Sequence, residues 1–588
     1  MLVGCAGGGG RPTPAEAEEF ITGAEERLSD LWIRNERAAW VRENFITHDT
    51  ETISARTYQE LMAATAELAK EAVRYDGLDL PPDVERKLGK LKVSLPLAAP
   101  ADPGRQAELS RIVTELGGMY GTGEYCPEGE TGDCLDLGAL SRIMADSRDE
   151  AELREAWTGW RTISPPMRDL YARFAELGNE GARELGFADL GALWRSSYDM
   201  PPDEFAAEVD RLWEQVRPFY EALHCHVRAA LAGRYGSDVV PLDGPIPAHL
   251  LGNMWAQEWG NVYDLVAPES AGGAGYDLTS ILRDNGVDEI GMVRYGERFF
   301  ESLGFEPLPD TFWKRSLFTK PRDREVVCHA SAWDIDRIDD LRLKMCIEIT
   351  AGDFVTVHHE LGHNFYQRAY NGQSYLFQES AHDGFHEAVG DTLALSVTPG
   401  YLVEVGLLDD AGSGAGDLEF LMRQALDRIA FLPFGVVVDG WRWRVFSGEV
   451  SPDRYNEAWW ELRTRYQGIA PPVGRSEADF DPGAKYHIPA NTPYSRYFLA
   501  AVLQFQFHRG LCQAAGFEGP LHQCSIYGND EAGRRLREML TMGMSRPWPE
   551  ALEVVTGETR MDGTALIEYF APLKDWLDEQ NEGRTCGW

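Results

Sequence analysis

The chain has 588 residues, a formal net charge of -39, and 44% hydrophobic and 11% aromatic residues, including 17 tryptophans. A polypeptide this long exceeds most single cores, so two lobes or one large domain divided by a cleft is expected, and the apolar content excludes long disordered stretches. The charge excludes nucleic-acid binding, which needs a basic stripe, and reads as a solvated acidic surface; no apolar run of about 18 residues exists to span a membrane.

Residues 1–12 form a glycine-rich leader. Leu2-Val3-Gly4-Cys5 followed by Ala6 and Gly7–Gly10 resembles the end of a bacterial lipoprotein signal, in which the cysteine is lipidated. The apolar region that should precede such a cysteine is missing, so either the start is truncated or the match is accidental. Thr13-Pro14-Ala15-Glu16 combines an N-cap, a first-turn proline and a capping-box glutamate, and predicts a helix with Phe20, Ala24, Leu28, Leu31 and Trp32 as its apolar stripe. More helix follows over Leu61–Ala72 and near Lys87–Lys92. These segments, within 13–100, could cover one end of a cleft or pack as a plain bundle.

Nine cysteines include three close pairs, Cys126 with Cys134, Cys328 with Cys346 and Cys512 with Cys524, a pattern suited to an oxidising compartment. The first pair brackets a turn-rich loop. Helical periodicity dominates Leu140–Ala232, breaks at Pro241–Pro247 and resumes over His249–Val266. Large apolar residues then alternate from Leu341 to Ile349, as a half-buried strand requires. Glu325–Ala330 is its expected partner, with the turn centred on Arg337 and Cys328 facing Cys346. Such a strand either binds an extended peptide through its main chain or simply covers the core.

His358-His359-Glu360-Leu361-Gly362-His363 follows. On a helix His359 and His363 sit one turn apart and can share a metal ion, with Glu360 placed to take a proton from water there. Such a pattern is also an ordinary surface helix face. A second motif, Phe385-His386-Glu387-Ala388-Val389-Gly390-Asp391, argues for the metal: Glu387 can be the third ligand, and Asp391, one turn on, can orient an imidazole. Three ligands leave a position open, as in a catalytic rather than a structural zinc site. Helices are predicted over Leu418–Phe434, Tyr455–Tyr466, Tyr497–Gly510 and Leu566–Glu579, with glycine-rich loops at Ala271–Gly275 and Ala411–Gly416.

These motifs, with Cys328–Trp333, Gly244–Gln257 and Lys485-Tyr486-His487-Ile488-Pro489 through Tyr497, resemble the angiotensin-converting enzyme family of zinc peptidyl-dipeptidases from about residue 14 to Trp588. The lipoprotein-like start suits a bacterial member. The resemblance implies a mainly α, two-lobed helical ellipsoid with a deep central channel, a gluzincin (HExxH) site and a small β-hairpin beside the zinc. Residues 13–588 would form one catalytic domain, with 13–100 as lid helices. It implies disulfides at the three close pairs, leaves Cys225 and Cys586 unpaired, and makes Cys5 the candidate lipid site.

It also implies zinc on His359, His363 and Glu387, and Glu360, His487 and Tyr497 as catalytic groups, the last two donating to the oxyanion. His329 and Ala330 would hold the peptide main chain, and Gln257, Lys485 and Tyr494 its terminal carboxylate. Chloride would bind Arg161, Trp459 and Arg463 at one site and Tyr198 and Arg496 at another. Taken singly, these aromatics, histidines and arginines read as core packing or ion pairing. Ala501, where a phenylalanine is common in vertebrate members, and the segment Gln378–Asp383 depart from the family pattern. The expectation is an exported monomer that removes C-terminal dipeptides from oligopeptides. Single-residue carboxypeptidase action and inactive peptide binding are its rivals.

Overall fold

The structure is a computed structural model that describes residues 12–127, 133–268, 276–412 and 416–588. The leader with Cys5, the loop Ala271–Gly275 and the centre of Ala411–Gly416 lie outside the described residues. Helix accounts for 65% of the chain and strand for 3%, so the protein is mainly α.

The first helix, Pro14–Asn44, begins as its sequence dictates: Thr13 Oγ1 accepts from the Glu16 amide, and the Glu16 carboxylate accepts the Thr13 N–H at 2.8 Å. It packs with His48–Ala72 and Pro82–Val93 around a small core of their own that includes Ile21, Leu28, Leu61, Leu68, Leu88 and Leu91. Polar links tie these helices to the rest. Arg86 donates to both Asp199 oxygens at 3.1 and 3.0 Å, and the Arg337 guanidinium lies 4.0 Å from the Trp32 ring.

A second, far larger core extends from Ala69 to Leu577. Pro202–Tyr235, Asp417–Phe446 and Ser495–Ala514 run through it, beside the fully buried Trp157, Trp259, Trp441 and Trp459. The helical spacing of His249–Val266 misleads. Gly252 and Ala256 take φ of +72° and +52°, and Trp259 spends its amide on the Leu426 carbonyl at 2.7 Å, so only Tyr263–Val266 is an α-helix. Leu250, Leu251, Met254 and Trp259 are nonetheless buried, from an irregular path. The expected last helix divides at Phe570 into Thr564–Tyr569 and Ala571–Gln580, because Pro572 has no N–H to continue the ladder.

The hairpin forms, but with a different partner: Ser331–Asp334 pairs antiparallel with Leu341–Lys344, Ser331 opposite Lys344, which centres the turn between Arg337 and Ile338. Glu325–Ala330 is not a strand. Beyond Lys344 the chain leaves the hairpin, the Met345 and Ile347 amides bonding the Leu317 and Phe318 carbonyls. Cys328 and Cys346 still meet, just past the ladder's end.

Disulfides join the three expected pairs and also Cys225 to Cys586, which corrects the expectation that these two stay unpaired. The tail after Gln580 folds back along Pro202–Tyr235. There Arg228 donates to the Thr585 and Gly587 carbonyls, and Asn581 to the Ala222 carbonyl. The bridge spans 361 residues. Replacing Cys225 and Cys586 together by alanine is expected to lower stability by about 2–4 kcal/mol, read as a lower urea midpoint with metal affinity unchanged; an unmoved midpoint would show the bridge contributes nothing.

Candidate active site

Thr350 caps the helix Ala351–Tyr370, its hydroxyl accepting from the Asp353 amide at 3.1 Å. His359 and His363 then share one face, with their Nε2 atoms 3.1 Å apart. Two donors bound to one tetrahedral zinc stand roughly 3.3 Å apart, so the imidazoles already hold a chelating spacing. The helix Asp383–Leu395 crosses at Gly362 and Gly390. A methyl on Gly362 would meet Gly390 Cα at 2.7 Å, and one on Gly390 would meet His359 Nδ1 and its carbonyl at 2.8 Å. This approach, which only glycine allows, brings Glu387 Oε2 to 3.8 Å from His359 Nε2 and all three ligand atoms within 4.8 Å of one another.

Asp391, one turn beyond Glu387, lies 3.2 Å from His359 Nδ1, and Arg428 stands 3.7 Å from its other oxygen. Burial lowers His359, yet the hydrogen bond and charge of Asp391, with Glu360 and Glu387, outweigh it and push the imidazole up to about 9. The local field therefore favours a cation, and two imidazoles with one carboxylate suit zinc. The other close grouping among the described residues, His508 with Cys512 and Cys524, has both sulfurs committed to a disulfide. Glu360 is buried beside His359 and accepts from the Ala332 amide of the hairpin. Burial raises its pKa, with His359 opposing and Glu387 adding to the rise.

Beyond Glu387 opens a cavity of about 540 Å³, lined by Gln257, Lys485, Tyr494, His487, Tyr497 and Ala501 among others. Lys485 Nζ donates to Gln257 Oε1 at 2.7 Å and lies 5.4 Å from the Tyr494 ring. The rings of His487 and Tyr497 stand 5.7 Å apart, each edge-on to Tyr494. Burial holds Lys485 down to about 7. Burial, then Lys485 and two arginines, hold His487 down to about 3, so it is a neutral imidazole. His329 is exposed at the hairpin's edge, where Lys344 holds its carbonyl at 2.8 Å and its Nδ1 lies 2.8 Å from the Ala330 oxygen. A second cavity, of about 500 Å³, reaches Glu387 from the other side and is bordered by Leu28, Trp32 and Leu61 of the first two helices. Glu387 lines both cavities.

Residues 11–588 match the family described as angiotensin-converting enzyme. The chain belongs to that family. The angiotensin-converting enzyme of Rattus norvegicus is 43% identical over 98% of this chain, which spans 44% of that relative's length. The angiotensin-converting enzyme of Theromyzon tessulatum is 40% identical, with 98% of this chain and 94% of the relative covered.

Of the two anion sites that the family resemblance implies, the first has the chemistry for one. Arg161 and Arg463 are buried, and no carboxylate among the described residues lies within ion-pairing distance of either. Their hydrogen bonds go to carbonyls of Trp157, Met254 and Trp255, and each keeps a buried Nε without a partner. Trp459 closes the box, 5.6 Å from Arg463. Burial pushes Arg463 down to about 9; a chloride fits this unpaired positive charge. At the second site Arg496 Nε lies 3.1 Å from Asp383 Oδ2, and Tyr198 hydrogen-bonds to the same carboxylate.

Sequence reasoning missed three groups. His386 Nδ1 meets His363 Nδ1 at 2.8 Å, a contact signalled only by its place beside Glu387. Arg428 reaches Asp391 from a distant helix with no signal at all. Asp383 fell within the segment noted as departing from the family, without a role. Asp391→Asn is expected to weaken zinc binding by about 10- to 100-fold, measured by competition with a chelating indicator; an unchanged affinity would remove Asp391 from this role.

Proposed function

We propose that the protein is a zinc peptidyl-dipeptidase that anchors an oligopeptide by its C-terminal carboxylate and releases the last two residues. The observation that supports this most is Lys485, buried beside Gln257 in the same cavity as Glu387. An ammonium depressed by burial regains its charge when a carboxylate docks on it, while Gln257 and Tyr494 add neutral donors. His329, Ala330 and the strand after them hold the peptide main chain. Ala501 lines the same cavity, and its small side chain suits a wide pocket for the last residue.

A zinc ion on His359, His363 and Glu387 would polarise the scissile carbonyl and acidify a water. Asp391 fixes the His359 ring by taking its other N–H. Glu360, raised by burial, accepts a proton from the attacking water and delivers it to the leaving amine. Tyr497 and the neutral His487 donate to the oxyanion. Chloride on Arg161, Arg463 and Trp459 balances buried charge. The four disulfides support an exported, oxidising location, where the chain acts as a monomer with helices of 13–100 as a lid and Cys5 as a lipid site.

Incubation with an unblocked hexapeptide is expected to give dipeptides by mass spectrometry, with a chelator stopping the reaction. Single amino acids would favour a carboxypeptidase, and no cleavage a binding protein. Glu360→Gln should lose about 10²- to 10⁴-fold in kcat while keeping zinc. Because Lys485 carries its charge below about pH 7 and loses it above, kcat/KM should fall as pH rises through that value. In Lys485→Arg, whose guanidinium stays charged, that limb should vanish; an identical pH profile in the variant would falsify the anchoring role.

A further inference from the structure

The geometry points to Asp383 as a built-in anion: its carboxylate takes the place beside Arg496 and Tyr198 that a dissolved chloride would otherwise fill. Asp383 is thus a positioning residue for Tyr497.

Each charged group around this point lies within ion-pairing distance of an opposite charge of the same chain. Arg496 Nε meets Asp383 Oδ2 at 3.1 Å, and Tyr198, itself buried, hydrogen-bonds to that carboxylate. The other nearby carboxylate, Asp439, is already engaged: it pairs with Arg442 and accepts from the Tyr494 amide, the Ser495 amide and the Ser495 hydroxyl at 2.7–2.8 Å. Lys90, also near, is bound to Asp199 at 2.8 Å. Arg161 and Arg463 present the opposite case, two buried guanidiniums with no carboxylate within ion-pairing distance among the described residues, whereas Arg496 has Asp383 at 3.1 Å. One arginine site has its anion covalently tethered, and the other lacks one.

The position of Asp383 makes it a durable counter-ion. It is the first residue of the helix Asp383–Leu395, where the helix dipole favours a negative charge. Four residues later that helix carries Glu387, and Arg496 directly precedes Tyr497 in the helix Ser495–Ala514. The ion pair therefore clamps the oxyanion donor's helix to the metal ligand's helix. A tethered carboxylate is present at a high effective concentration whatever the salt, so this clamp does not vary with chloride. The functional arm rests on the peptidase reading; the placement of the anion does not.

Crystals soaked in bromide separate the two. Anomalous scattering should place bromide between Arg161 and Arg463 but not beside Arg496 in the wild type. In Asp383→Asn, which keeps the side-chain shape, bromide should appear at both. In solution, Asp383→Asn should lose up to about 100-fold in kcat/KM at low chloride, the scale of a displaced oxyanion donor. High chloride, or formate with Asp383→Ala, should restore most of it. Bromide beside Arg496 in the wild type overturns the proposal even if neither variant folds. So does a folded Asp383→Asn with no bromide there, or with a loss that chloride does not repair.

Discussion

Two glycines, Gly362 and Gly390, let two helices approach until backbone touches backbone, and the chemistry of the protein depends on that contact. A methyl group at either position would sit less than 3 Å from atoms of the facing helix. Forcing the helices apart would carry Glu387 away from His359 and His363, which stand on the other side of the crossing. The same contact presses Gly390 against the His359 ring, so the imidazole that Asp391 orients is also confined sterically. Metal geometry here follows from the absence of side chains as much as from the ligands.

A second constraint is electrostatic. The chain is strongly acidic, yet the interior beside the site holds buried cations, Lys485, Arg161, Arg463 and Arg442, and a half-buried one, Arg496. A buried charge must find a partner or lose its proton. Arg442 and Arg496 have carboxylates of their own chain. Arg161 and Arg463 have carbonyls, aromatic rings and, for Arg161, the Met254 sulfur, and Lys485 has Gln257. The cations without an internal anion are the ones positioned to take one from outside; under the proposed function, the anion for Lys485 is the end of a peptide. On that proposal, specificity for a chain terminus follows from a lysine that no carboxylate of its own chain compensates.

How much of this was legible in the sequence depended on whether the deciding interaction is local. The Thr13–Glu16 cap and the placing of His359 and His363 on one helix face are set within a few residues, and each formed as read, whereas of the strand read over Leu341–Ile349 only Leu341–Lys344 formed. Cys225 with Cys586, Arg428 with Asp391 and Asp383 with Arg496 join residues far apart in the chain, and no periodicity announces them. His249–Val266 failed for another reason: buried apolar residues at helical spacing also arise when an irregular segment threads a core, and Gly252 alone did not announce the break. The hairpin kept its turn but changed partner, because Leu317 and Phe318 took the amides that a longer ladder would have used.

That misread segment explains how the site divides its labour. Helices supply the metal ligands, because the helical repeat puts two imidazoles on one side at no further cost in order. Apart from Tyr497, which stands on the helix Ser495–Ala514, the proposed substrate donors come instead from irregular backbone, Gln257 from the Gly252–Trp259 path and Lys485, His487 and Tyr494 from the stretch before Ser495, where donors can converge without obeying a period. Irregular backbone is ordinarily less rigid, and here polar bonds in the core hold it. Asp439 accepts from the Tyr494 and Ser495 amides, Arg442 donates to the His487 and Thr492 carbonyls, and Trp160 and Trp255 both donate to the Ala484 carbonyl. Because these partners are themselves buried, water competes little for the bonds, and a segment without regular structure holds its donors at fixed positions beside a helical metal site.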